Sequence, residues 1–245
     1  MSQQGFANED IIIDYLNNKK FKFLNSNWQK FLRSIFSNLK NDDKVLCSKK
    51  AGQNKSDIII TINKISKCIS VKSGTGNSVH QEPVEEFIQF LKETYKINEE
   101  LANNIRFFIW GDGTLNGKGK TKDRLSAPEF SRKYPQIIKN ISEFFKENKK
   151  DLIERFVITG SKSKSSPDYI YYGDSTSGVW KKTDEVLSWL CEDSNESNGA
   201  IPVGRLTFQA WNRNINGGNK SEKKRGVIQL KWGTIGEDLK SIFSD

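Results

Sequence analysis

The chain has 245 residues, with 39 Lys and Arg against 30 Asp and Glu, which gives a formal net charge of +9. That length suits one sizeable domain or two small ones, and 15 Phe, 6 Trp and 6 Tyr supply the apolar bulk of a packed core, which excludes a wholly disordered basic tail. The longest apolar runs, Ile58 to Ile60 and Phe107 to Trp110, fall far short of the roughly 18 to 20 residues of a membrane span. The start MSQQGFANED carries no apolar targeting core. Cys47, Cys68 and Cys191 are odd in number and form no CxxC pair, so neither a disulfide framework nor a structural zinc site is expected. Together these features point to a cytoplasmic protein with reduced thiols and no membrane contact. The positive charge points to a polyanionic partner, because clustered Lys and Arg attract phosphates and release counterions on binding. A merely solvated basic face is the alternative that charge alone leaves open.

In chain order, Asp10 to Leu16 carries Ile12, Ile13, Tyr15 and Leu16 at helical spacing, and Trp28, Phe31, Leu32, Ile35, Phe36 and Leu39 repeat that rhythm. Asn41-Asp42-Asp43 then punctuates the chain. Lys44 to Ser48, Asp57 to Ile62 and Cys68 to Lys72 read as an antiparallel meander, interrupted at Gly52-Gln53-Asn54 and at Asn63-Lys64. Ser78 to Tyr95 reads as an amphipathic helix entered through Gly74 to Asn77, and Arg106 to Trp110 as a strand. Beyond the Gly- and Lys-rich loop Gly111 to Arg124, a helix is expected over Tyr134 to Ile153 and another over Asp184 to Leu190. Strands are expected at Arg155 to Thr159, Tyr169 to Tyr172, Arg205 to Trp211 and Gly226 to Trp232, with Glu192 to Gly199 as the best linker. No internal repeat and no low-complexity tail is present.

The residues best suited to chemistry are in Lys55-Ser56-Asp57-Ile58-Ile59-Ile60 and Ile69-Ser70-Val71-Lys72. A hairpin brings the head of one strand beside the end of the next, so Asp57 and Lys72 can meet at one sheet edge. There the acid suits a hard cation, and the lysine can orient a water or steady charge developing on phosphate. A second carboxylate is missing, because the position two before Lys72 is Ser70.

These residues and their element order resemble the PD-(D/E)XK nucleases, the restriction endonuclease fold. The resemblance spans roughly residues 5 to 110, although Ser56 stands where the family usually has proline. It implies an α/β restriction endonuclease-like core of helix, three-stranded antiparallel meander, helix and strand over residues 1 to 110. Residues 111 to 245 would be a C-terminal α+β extension that contributes DNA contacts within a single domain. In the family the strand ends in an acid, any residue and a lysine. A subgroup of tetrameric restriction endonucleases has Ser-x-Lys, with the lost carboxylate returned by a glutamate fourteen residues after the lysine. Here that count from Lys72 reaches Glu86, with Glu82 one helical turn before it and Glu85 as a further choice. The resemblance therefore implies Mg²⁺ on Asp57 and on Glu86 or Glu82, with Ser70 in the vacated acid position and Lys72 beside the attacking water. Glu9 on the first helix would support the metal, or else would simply favour the helix start through the dipole. The implied partner is double-stranded DNA, cut in a sequence-specific manner by a homodimer or higher homo-oligomer if both strands of a palindrome are cleaved. Repair and mobile-element nucleases share the fold, and a non-catalytic basic nucleic-acid-binding protein is the alternative of another class.

Other motifs carry less. Gly119-Lys120-Thr121 imitates the end of a phosphate-binding loop, but Thr114 stands where the loop needs glycine, and a solvated basic loop is the better reading. His80 is the lone histidine, which excludes a His-rich metal cluster within one chain; it reads as a polar helix-start residue. Pro167-Asp168 is a literal "PD" with no x-x-Lys strand close behind it, and reads as a turn. In the C-terminal third, Gln209, Asn212 and Arg213 have the planar forks that match base edges, and Lys223 and Arg225 follow in a basic turn. A buried Trp211 flanked by a solvated turn is the equal alternative. Lys118, Lys120, Lys122 and Arg124 form a second candidate DNA clamp, suited to phosphates.

Overall fold

The computed structural model describes residues 3–52, 55–74, 78–161, 166–192, 200–215, 217–218 and 222–242. Gln53, Asn54, Thr75 to Asn77, residues 193–199 of the expected linker, and Lys220 lie outside them. The chain divides into two compact units, one of residues 1–77, 154–189 and 233–245 and the other of residues 78–153 and 190–232.

The first unit begins with α1 (Gln3–Leu16) and α2 (Ser26–Ile35), then β1 (Leu46–Lys49), β2 (Ile58–Ile62) and β3 (Ile65–Lys72). Asn25 caps α2 by accepting from Trp28 N at 3.0 Å, and the helix buries Trp28, Phe31, Leu32 and Ile35, the stripe its spacing predicts. The expected meander is present, with β2 antiparallel to both β1 and β3. Asn63 and Lys64 both have positive φ, 50° and 69°, the backbone of a type I′ two-residue turn. That turn sets Ile62 opposite Ile65 and Ile58 opposite Ile69.

The second unit follows with β4 (Ser78–Pro83), α3 (Val84–Tyr95), α4 (Glu99–Trp110), α5 (Ala127–Lys133), α6 (Pro135–Glu147) and α7 (Lys149–Ile153). Two expectations are corrected here. Residues 78 to 83 form a strand; Pro83 pushes the residue before it, Glu82, out of helical conformation, and α3 starts only at Val84. Residues 106 to 110 are helical, not a strand. Asn98 accepts from Leu101 N at 2.9 Å to start α4, which buries Leu101, Ala102, Ile105, Phe108 and Ile109, and Gly111 ends it with φ 60°. The short run Phe107 to Trp110 is apolar all round and does not by itself tell strand from buried helix.

The chain returns to the first unit through a wide helical turn at Glu154–Thr159, where a strand was expected; Gly160 N donates to Arg155 O at 2.8 Å and closes it. There follow β5 (Tyr169–Gly173), β6 (Gly178–Lys182) and α8 (Thr183–Leu190). The second unit is completed by β7 (Ile201–Val203), β8 (Leu206–Ala210) and β9 (Val227–Lys231), and α9 (Ile235–Ser241) belongs again to the first.

The first sheet has the order β1-β2-β3-β5-β6, with β3 and β5 parallel and its other pairs antiparallel. The strand beside the meander is thus β5, and the expected core order of helix, meander, helix and strand is revised accordingly. Its core joins Ile12 and Leu16 of α1 and the stripe of α2 to Ile58, Ile60, Ile62, Ile69 and Tyr171. Trp28 stacks on Tyr171 with ring centroids 4.7 Å apart. The second unit has the sheet β4-β9-β8-β7 and an aromatic core in which Phe208 meets Phe87, Phe108 and Phe145.

Candidate active site

The hairpin pairing ends with Ile58 opposite Ile69, and Asp57, just before β2, stays tied to β3 because its N donates to Ile69 O at 2.9 Å. Side chains two apart on a strand share a face, so Lys72 lies on the same side as Ser70 while Ile69 and Val71 enter the core. One oxygen of Asp57 gathers the donors of the hairpin. Oδ2 accepts from Val71 N at 2.7 Å, from Ser70 Oγ at 3.2 Å and from Lys72 Nζ at 3.2 Å. Lys72 Nζ also donates to Val71 O at 3.1 Å. Among the described residues Oδ1 accepts no hydrogen bond, which leaves it for another partner.

The acid that joins this group within its own unit is Glu9. It stands at helical spacing from Ile12 and Leu16 on the stripe that α1 buries, and is only 3% exposed. Burial foremost, and then the charge of Asp57, raise its carboxyl from the ordinary range to about 7, against the pull of Lys49 and Lys72. Lys49, the last residue of β1, places Nζ 3.8 Å from Glu9 Oε2 and 3.2 Å from Asp10. Sequence reasoning passed over Lys49, whose only signal is its position at the strand end beside Asp57.

Glu82 and Glu86 belong to the second unit. Glu82 is buried on β4, 2.9 Å from His80 Nε2, so His80 is a buried strand residue and not a helix-start one. Glu86 is exposed in the first turn of α3. Asp168, of the literal "PD", accepts from Cys68 N at 2.7 Å and its amide donates to Cys68 O at 2.7 Å; it tethers β3, as a turn residue can. Lys120 precedes a single helical turn, Thr121 to Asp123, and not the long helix a phosphate loop requires.

The candidate DNA contacts divide by burial. Lys118, Lys120, Lys122 and Lys223 are exposed. Arg124, Arg213 and Arg225 are turned inward. Arg124 donates to Asn214 O at 2.6 Å, and Arg225 pairs with buried Asp112 at 2.9 Å. Gln209 donates to Gln229 at 3.0 Å, and Asn212 Oδ1 accepts from Asn214 N at 2.7 Å. Arg213 is 8% exposed, over Phe108 and Phe130 at 4.7 and 5.3 Å, with Nη1 donating to Leu125 O at 3.1 Å and Nη2 unpartnered among the described residues. Burial alone lowers its guanidinium to about 10. Since a buried, half-satisfied charge adds little over an apolar group of its shape, Arg213→Met is expected to stay within about 1 kcal/mol of wild type. Arg213→Ala should cost about 3 kcal/mol through the cavity left between the rings. Urea unfolding measures both, and equal losses would show that the guanidinium itself is needed.

In a comparison with solved structures the chain is similar to restriction endonuclease MspI in complex with its cognate DNA, at 18% identity and TM-score 0.50, covering 83% of this chain and 76% of that one. The fold is restriction-endonuclease-like. Neither the protein-family models nor the curated proteins give a match. Among the described residues no helix is long and apolar enough to cross a membrane, and no group of three or more His, Cys, Asp or Glu side chains is placed to hold a metal. Magnesium needs fewer, because it keeps several waters and takes one or two carboxylates. Asp57, with Oδ1 open, and Glu9, whose charge burial disfavours until a cation balances it, fit such an ion.

Proposed function

We propose that the protein is a Mg²⁺-dependent, sequence-specific endonuclease of restriction type that hydrolyses phosphodiester bonds of double-stranded DNA through a Ser-x-Lys variant of the acid-x-Lys site. The observation that carries this reading is the meeting of Asp57, Ser70 and Lys72 at one end of the β2–β3 hairpin, with the buried Glu9 carboxylate close enough to feel their charges. Asp57 and Glu9 would hold the metal, which when bound supplies Lewis acidity toward phosphate and a more acidic water. Ser70 and Val71 N fix the Asp57 carboxylate by donating to Oδ2. Lysine has three N–H donors, and Lys72 uses two on Asp57 and Val71 O, which leaves one for a phosphate oxygen or the attacking water. Glu86→Ala tests the subgroup's glutamate: retained cleavage assigns the metal to Asp57 and Glu9, and lost cleavage returns Glu86 to the site.

Plasmid DNA incubated with the protein in Mg²⁺ should give defined fragments and in EDTA none. Duplex binding without cutting in any divalent metal would instead support a non-catalytic binding protein. Cleavage of both strands of a palindrome calls for a homodimer or larger assembly, measured by light scattering on a palindromic duplex.

The exposed lysines are assigned to phosphates. Lys120→Ala should weaken binding to cognate and random duplexes alike and flatten the slope of log K against log salt by about 0.9. Titrations in Ca²⁺ over a salt series test this, and a loss confined to the cognate duplex would make Lys120 a base contact.

A further inference from the structure

The loop Gly111 to Arg124 and the turn that leads into β9 look independent in sequence, yet buried charges tie them together. Asp112 has a fully buried side chain. Its Oδ1 accepts from Thr114 N at 3.0 Å and Thr114 Oγ1 at 2.8 Å, and its Oδ2 from Gly119 N at 3.1 Å, so one carboxylate closes a glycine-rich loop on itself. The same Oδ2 accepts from Arg225 Nη2 at 2.9 Å, and Arg225 Nη1 donates to Gly117 O at 3.0 Å. Trp110 is the hub. The Arg225 guanidinium lies 5.3 Å from its ring centre, and Gly117 and Gly226 approach so closely that a Cβ on either would fall 2.2 Å from a ring carbon. A second tie runs from Arg124 to Asn214 O at 2.6 Å and to Glu222 at 3.0 Å. The arginines of this region thus point inward while Lys118, Lys120, Lys122, Lys223 and Lys224 remain exposed.

We propose that Asp112 and Arg225 are positioning residues for DNA binding: a buried pair that braces the 111–124 loop against the 222–226 turn, so that the five lysines of both meet phosphates as one preformed surface. This rests on the DNA reading above. Preorganisation raises affinity by removing the ordering cost from the binding step, so cutting the brace weakens binding without changing how many phosphates are finally neutralised.

The test is a titration of a random duplex in Ca²⁺ over a salt series, with wild type, Asp112→Asn, Arg225→Gln and the double variant. Each single variant should bind about tenfold more weakly, the double no worse than either single, and all with the wild-type salt slope. Simple charge counting predicts the opposite sign for Asp112→Asn, because removing an acid favours a polyanion. Tighter or unchanged binding by that variant therefore overturns the brace, as does a slope for Arg225→Gln shallower by about 0.9, which would make Arg225 a phosphate contact. If Asp112→Asn lacks a cooperative melt, Glu222→Ala takes its place, since Glu222 is 45% exposed and partners Arg124. Weaker binding again supports the brace, and tighter binding refutes it. A wild type that binds no duplex at any salt removes the DNA reading and the brace with it, whereas a binding wild type matched by Asp112→Asn removes the brace alone.

Discussion

Lys72→Ala and Asp57→Asn should each lower DNA cleavage by about 10³-fold or more while leaving the protein folded and able to bind duplex. Removing one well-placed donor to developing charge commonly costs about 10² to 10³ in rate. Lys72 spends two N–H donors on Asp57 and Val71 O, and its third would serve the phosphate or the water under the proposed function. Asp57→Asn takes away a metal-holding charge but keeps an oxygen to accept from Val71 N, so the buried amide is not orphaned. Asp57→Ala would orphan it, at about 1 to 3 kcal/mol, and so confuses a folding loss with a catalytic one. Single-turnover cleavage on a duplex prebound in Ca²⁺ and started with excess Mg²⁺ separates chemistry from binding. Wild-type rates in either variant would remove the hairpin as the catalytic centre.

Glu9→Gln should abolish cleavage and yet stabilise the metal-free protein at high pH. With the folded carboxyl raised to about 7 and an ordinary value near 4.5 when unfolded, the folded state holds a proton that the unfolded state has lost between those two values. Stability therefore falls as pH rises from about 4.5 to 7, and above 7 the whole cost of the buried charge is present. Glutamine escapes that cost. The variant should be more stable than wild type by about 2 kcal/mol at alkaline pH, an amount reduced for solvent relaxation, and equal to it below about pH 4.5. Added Mg²⁺ should close the gap at high pH by stabilising wild type alone, and wild-type cleavage should fall about tenfold per pH unit below about 7 as the proton competes with the metal. Denaturant melts at the two pH extremes, with and without Mg²⁺, provide the measurement. A gap of the same size at both extremes would show that Glu9 does not titrate as described.

The hairpin half of this site is legible in the chain because its causes are local. Asn63-Lys64 between two apolar runs specifies a tight turn, the turn sets the register, and the register brings Asp57, Ser70 and Lys72 to one place whatever the rest of the molecule does. The stripes of α1 and α2 are equally local, since helical spacing alone sorts their apolar residues onto one face.

What only the tertiary structure decided depends on residues far apart in the chain. The neighbour of β3 is β5, reached after the chain has passed through the second unit, so Phe107 to Trp110 was free to be helix. Counting along the sequence reaches Glu86, whereas Glu9 is brought within the influence of Asp57 by the packing of α1; its proton affinity is a product of burial, which no spacing records. The same holds for Arg124, Arg213 and Arg225. As letters in a basic sequence they resemble DNA contacts, yet desolvation and buried partners such as Asp112 made them internal struts and left the exposed positive charge of this region to lysine. Charge is written in the sequence, but the dielectric and the partner that give a charge its role are set only when distant segments pack.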